Sequence, residues 1–81
     1  MPMLTGAVLL TASEPATTAV VELHNARGDI VDQSVVDDHG RFRFHVSPAA
    51  WSVVGWDPHG HRWRGDASVT GDVAVELVRD A

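Results

Sequence analysis

The chain contains no cysteine, no lysine and no tyrosine. Without cysteine it has no disulfide framework, no thiolate metal site and no thiol nucleophile, and it fits a reducing compartment. Its six basic residues are all arginine, the usage expected of a GC-rich genome, against eleven Asp and Glu and a formal net charge of −5. That balance argues against a nucleic-acid partner, because phosphate-backbone binding needs a basic footprint. Long apolar runs are missing as well. No segment approaches the roughly 20 residues that span a bilayer. The longest early run, Ala7 to Leu10, is short for a signal peptide and lacks a basic leader. The expectation is a cytoplasmic chain with no membrane partner, or a virion component if a phage encodes it. Internal repeats, low-complexity tracts and linkers are not evident either.

What is present is alternation. In Arg41-Phe42-Arg43-Phe44-His45-Val46 the apolar residues point one way and the polar ones the other. Period-two patterning bounded by Gly and Pro marks half-buried strands. Seven strands are predicted, at about Met3–Thr11, Ala19–Asn25, Ile30–Val36, Arg41–Val46, Trp51–Trp56, Arg62–Ser68 and Val73–Val78. They are separated by a Ser13-Glu14-Pro15 loop and by turns at Ala26-Arg27-Gly28-Asp29, Asp37-Asp38-His39-Gly40, Ser47-Pro48-Ala49-Ala50, Asp57-Pro58-His59-Gly60 and Thr70-Gly71-Asp72. Turn signals at this spacing indicate a β-sandwich or barrel. The fold class expected is all-β: one domain over residues 1–81, a seven-stranded antiparallel β-sandwich. With 81 residues only about fifteen apolar side chains fit a core, so packing within a larger assembly would be a natural supplement.

The alternation also assigns faces. Ala19, Val21 and Leu23 point inward, with Glu22 and His24 outside. Phe42, Phe44 and Val46 point inward. Trp51, Val53 and Gly55 share one face of their strand, and Ser52, Val54 and Trp56 the other.

Gly6 and Val8, then Pro15, Ala19, Val21 and Leu23, then Gly40, Phe42 and Phe44, then Pro48, Trp51 and Val53 follow one another in an order that resembles the carboxypeptidase regulatory-like domain. That family has a transthyretin (prealbumin)-like Greek-key sandwich. A closer likeness is to small actinobacterial proteins of this fold that are encoded beside thiosulfate sulfurtransferases and have no assigned activity. The resemblance covers nearly the whole chain, departing at Ala49, where the family usually carries Gly. It implies a non-enzymatic accessory or adhesive module and supplies no catalytic residues. The same fold hosts 5-hydroxyisourate hydrolase, whose Tyr-Arg-Gly-Ser ending is replaced here by Val78-Arg79-Asp80-Ala81.

Several constellations carry potential chemistry. His59 and His61, with Asp57, are the weak metal candidates, but a closed zinc site takes about four ligands and nothing brings a fourth, so no metal or other cofactor is expected. Ser52, His39 and Asp38 supply the inventory of a triad without its geometry, and no enzyme is expected. Arg64-Gly65-Asp66 spells an integrin-recognition tripeptide, read more soundly as local backbone chemistry. The strongest candidates for contact with other protein chains are Trp56 and Trp63 with Arg62 and Arg64, since Trp and Arg are enriched at binding hot spots. The opposing reading seals one of these tryptophans inside the sandwich. Unpaired strand edges are a second route to self-assembly, and Asp32 and Arg79 are candidate blockers. The leading expectation is a structural or protein-interaction module, either a cellular accessory protein or a phage decoration or tail-accessory protein. A small-molecule or metal-binding domain using His59 and His61 is the alternative.

Overall fold

Valine-rich alternation makes strands here because a branched side chain packs well on a pleated, half-buried surface. The computed structural model describes residues 2–78. Its eight strands are β1 (Met3–Thr11), β2 (Glu14–Pro15), β3 (Val20–His24), β4 (Ile30–Val35), β5 (Arg41–His45), β6 (Ala49–Trp56), β7 (Arg62–Val69) and β8 (Val73–Val78). No helix among the described residues is long and apolar enough to cross a membrane.

The strands form two four-stranded sheets. In the first, β1 pairs with β5 and β2 in antiparallel fashion and with β8 in parallel. The second runs β4-β3-β6-β7 and is antiparallel throughout. Two details differ from the seven-stranded antiparallel expectation. Glu14–Pro15, read as loop, forms a two-residue strand on β1, and the first and last strands lie side by side in the same direction. β6 also begins earlier than expected: Ala49 and Ala50 pair with Val69 and Ser68 instead of completing a turn.

The core lies between the sheets, and the face assignments hold. Leu4, Val8, Phe42, Phe44, Val46 and Leu77 from the first sheet meet Val21, Leu23, Val53, Trp63 and Val69 from the second, all buried. The Phe42 and Phe44 rings sit 5.8 Å apart at a 48° tilt, within the range favoured for aromatic pairs. Opposite Phe42, β1 carries Gly6. A Cβ there would stand 2.4 Å from the Phe42 ring and 2.6 Å from the Val75 carbonyl oxygen, so the missing side chain makes room for the ring.

Three turns share one construction. In Asn25–Asp29, Asp37–Arg41 and Asp57–His61 the first residue's side-chain Oδ1 accepts the backbone N–H of the third and fifth residues at 2.9–3.0 Å. The fourth residue is Gly28, Gly40 or Gly60, with φ of 86°, 74° and 87°. A left-handed glycine closing a tight turn, with an Asx side chain holding the loop, is favoured local chemistry. These turns fix where β4, β5 and β7 begin or end, and so fix which residues reach the outer faces.

Candidate functional site

With Val21, Leu23, Val53 and Trp63 facing in, the alternate residues of β3, β6 and β7 face out. Cross-strand register then sets the outer face of the second sheet as three rows. Val35, Val20, Trp56 and Arg62 form the first. Gln33, Glu22, Val54 and Arg64 form the second, and Ile30, His24, Ser52 and Asp66 the third. Trp56 is 37% exposed, and Val35 and Ile30 are more so. Among the described residues, no layer covers this face.

Polar groups on the face are unevenly matched. His24 Nε2 and Glu22 Oε1 are 3.3 Å apart. Asp66 accepts the Ser52 hydroxyl at 2.7 Å and lies 3.9 Å from Arg64 Nε. Arg62, directly across the hairpin from Trp56, has no ion-pair partner among the described residues. The first row therefore runs from aliphatic through aromatic to an unopposed cation.

Three of the four residues proposed for partner contact, Trp56, Arg62 and Arg64, share this face. The fourth does not. Trp63 pairs with Gly55 rather than Trp56, points inward and is 4% exposed. Its indole Nε1–H donates to the Leu9 carbonyl oxygen at 2.9 Å, tying the two sheets together. Trp63 is a core residue, which corrects its expected place on the contact surface. The physical reason is register: one residue along a strand reverses the face. Trp51 is half-buried, with its indole N–H on the Ser47 carbonyl oxygen at 2.9 Å.

The histidine candidates serve the β6–β7 turn. His61 Nδ1 lies 2.7 Å from Asp57 Oδ2, and the His61 ring meets Trp63 edge-on with centroids 6.0 Å apart. Burial works to raise the Asp57 pKa. Hydrogen bonds from the His61 N–H, the His61 ring and the His59 N–H outweigh it and hold the carboxylate below its usual value. Asp37, in the equivalent turn, is held low by the N–H groups of Arg41 and His39. Among the described residues no three His, Asp or Glu side chains gather as a metal site would require. The triad inventory stays dispersed: the Ser52 hydroxyl is engaged with Asp66, while His39 lies beside Asp38 in the β4–β5 turn. Arg64-Gly65-Asp66 lies within β7, where a Cβ on Gly65 would stand 2.4 Å from Leu77 Cδ2. The glycine is there to seat a core leucine.

The free edge of β4 is self-blocked. Val36 N–H bonds the Ala19 carbonyl, and antiparallel alternation then turns the backbone groups of Gln33 and Val35 outward. Asp32 Oδ1 accepts the Gln33 N–H at 2.8 Å, and Ser34 Oγ donates to the Val35 carbonyl at 3.3 Å. Side chains that occupy edge groups hinder strand addition. Arg79, the other proposed blocker, lies outside the described residues.

A family model described as "Protein of unknown function (DUF1416)" matches residues 2–78, and the chain belongs to that family. No curated protein matches it.

Proposed function

We propose that this member of the family is a non-enzymatic protein-interaction module that docks a partner protein, or assembles, through the outer face of its second sheet. The observation that carries the reading is the row Val35–Val20–Trp56–Arg62, an uncovered apolar stripe ending in an unopposed arginine. Tryptophan and arginine are among the residue types enriched where interfaces concentrate their energy. Self-blocking of the β4 edge favours contact through the face over strand addition at that edge. The resemblance to the carboxypeptidase regulatory-like, transthyretin-like domain supports the same reading, since that family implies accessory modules. A cytoplasmic accessory protein, or a component of a virion, suits a thin-cored domain that gains stability from its neighbours.

Two measurements test it. A photo-crosslinking residue at position 56 should yield a discrete adduct in cells of the source organism, and one at Ser13, on the β1–β2 turn, should not. Sedimentation velocity over a wide concentration range reads self-assembly directly. A chain that stays monomeric and gives no position-specific adduct is not an interaction module of this kind.

A further inference from the structure

The outer face of the first sheet differs in kind. At the centre of its middle strand, β1, the outward side chains are short, Thr5 and Ala7. On one side β5 raises Arg43 opposite Thr5 and Arg41 opposite Ala7. On the other, β8 places Ala74 opposite Thr5 and Glu76 opposite Ala7. These residues line one groove, which Ser34, Val35 and Asp37 also border on the arginine side. Its walls are two strand spacings apart, about 9.6 Å, the width of a single extended chain.

The arginine wall is rigidly founded. Arg41 N–H is held by Asp37 Oδ1 at 2.9 Å, and the Asp37 N–H by the Arg41 carbonyl at 3.0 Å. Phe42, between the two arginines, is locked over Gly6. In a chain with eleven acidic residues, Arg27 and Arg64 have carboxylate neighbours. Neither Arg41 nor Arg43 makes a side-chain ion pair among the described residues, although the Asp37 carboxylate lies beside Arg41 on its backbone N–H. Guanidinium groups outside an ion pair are strong acceptor-seeking donors.

We infer that this groove binds an extended segment of another protein whose carboxylates recur at every second residue. Arg41 and Arg43 are two residues apart on a strand, about 6.7 Å. An extended ligand repeats its same-side groups at that interval, so both arginines are met together by acids at alternate positions. Glu76 on the opposite wall repels acids at the intervening positions and so sets which alternation fits. The groove reaches Val35, the end of the row that carries the Trp56 face, but its arginines stand on the other sheet, so Arg41→Ala and Arg62→Ala distinguish failure of one reading from failure of the other.

The test is a titration of the isotope-labelled chain, followed by amide NMR, with the peptide acetyl-Glu-Thr-Glu-Thr-Glu-amide. Saturable shifts are expected at Thr5, Ala7, Arg41, Arg43 and Ala74. Arg41→Ala and Arg43→Ala should each weaken binding roughly tenfold, the loss of a charge-assisted hydrogen bond, while Arg62→Ala on the other sheet leaves it unchanged. Melting curves of all three variants, expected to coincide with that of the parent chain, exclude unfolding as the cause. The same-charge peptide acetyl-Glu-Glu-Glu-Thr-Thr-amide should bind several-fold more weakly. Equal binding of the two peptides overturns the inference. So does saturation by acetate at the same carboxylate concentration, equal loss in Arg62→Ala, or absence of saturable shifts.

Discussion

On the inner face of the β6–β7 hairpin, Trp63 is 4% exposed and hydrogen-bonded to the opposite sheet; on the outer face of the same hairpin, Trp56 is 37% exposed beside an unopposed arginine. One residue type, on two paired strands, is assigned to stability in one case and to contact in the other. The parity of position along the strand decides which. The neighbours repeat the division. Gly55, Gly65 and Ala67 are small on the inner side, where the Trp63 ring and Leu77 need space, and Arg62, Arg64 and Asp66 are charged on the outer side.

The sharpest way to break this comparison is to truncate each ring. Trp63→Ala should cost about 3–5 kcal/mol, the range for emptying a large buried aromatic site, and it also strips the Leu9 carbonyl of its donor. Trp56→Ala should cost about 1 kcal/mol or less, as an exposed substitution does. Urea denaturation of the two variants reads the difference, and equal losses would erase the distinction between the faces. Next in size is Gly6→Ala. Its new Cβ collides with the Phe42 ring and with backbone, and overpacking of this kind costs about 1–3 kcal/mol.

The three homologous turns allow a finer contrast, because two are built on Asp and one on Asn25. Asp37 and Asp57 both have pKa values lowered by folding. The unfolded chain, with aspartates near about 3.9, therefore binds more protons in this window. Stability is full above that value and is lost as pH falls through the lower folded values. Melting temperature measured from pH 6 downward should drop below about pH 4. Asp57→Asn, which keeps the Oδ1 acceptor as Asn25 does, should soften that drop. A drop of unchanged size would remove Asp57 from the acid response. The smallest effect concerns the β4 edge. Asp32→Ala frees the Gln33 N–H and should leave the melt nearly unchanged while light scattering detects more self-association. Unchanged scattering would mean that Asp32 does not guard the edge.

Much of this architecture is legible in the residues themselves. Phe42, Phe44 and Val46 against Arg41, Arg43 and His45 state both the strand and its buried face, and all three apolar residues are sealed. Ala19, Val21 and Leu23 do the same for β3. Trp63 was readable too: Trp63, Gly65, Ala67 and Val69 alternate with Arg62, Arg64, Asp66 and Ser68, and the smaller residues of that series hide the inward set from a scan for bulky hydrophobics. The three turns share an Asx-x-x-Gly signature that is visible once two side-chain acceptor bonds are known to recur. The parallel pairing of β1 with β8 has no local signal, because it joins segments at opposite ends of the sequence. The two-residue β2 and the early start of β6 exist only because a partner strand is present to recruit them.

Hydrogen exchange at the three indole N–H groups, followed by NMR, tests the division between the faces most directly. Trp63, donating to Leu9 inside the sandwich, should exchange slowest, at the rate of global opening. Trp51, donating to Ser47 at the sandwich margin, should be intermediate. Trp56, which has no acceptor among the described residues, should exchange fastest. A Trp56 indole as protected as that of Trp63 would contradict an open outer face, and with it the surface proposed for the partner.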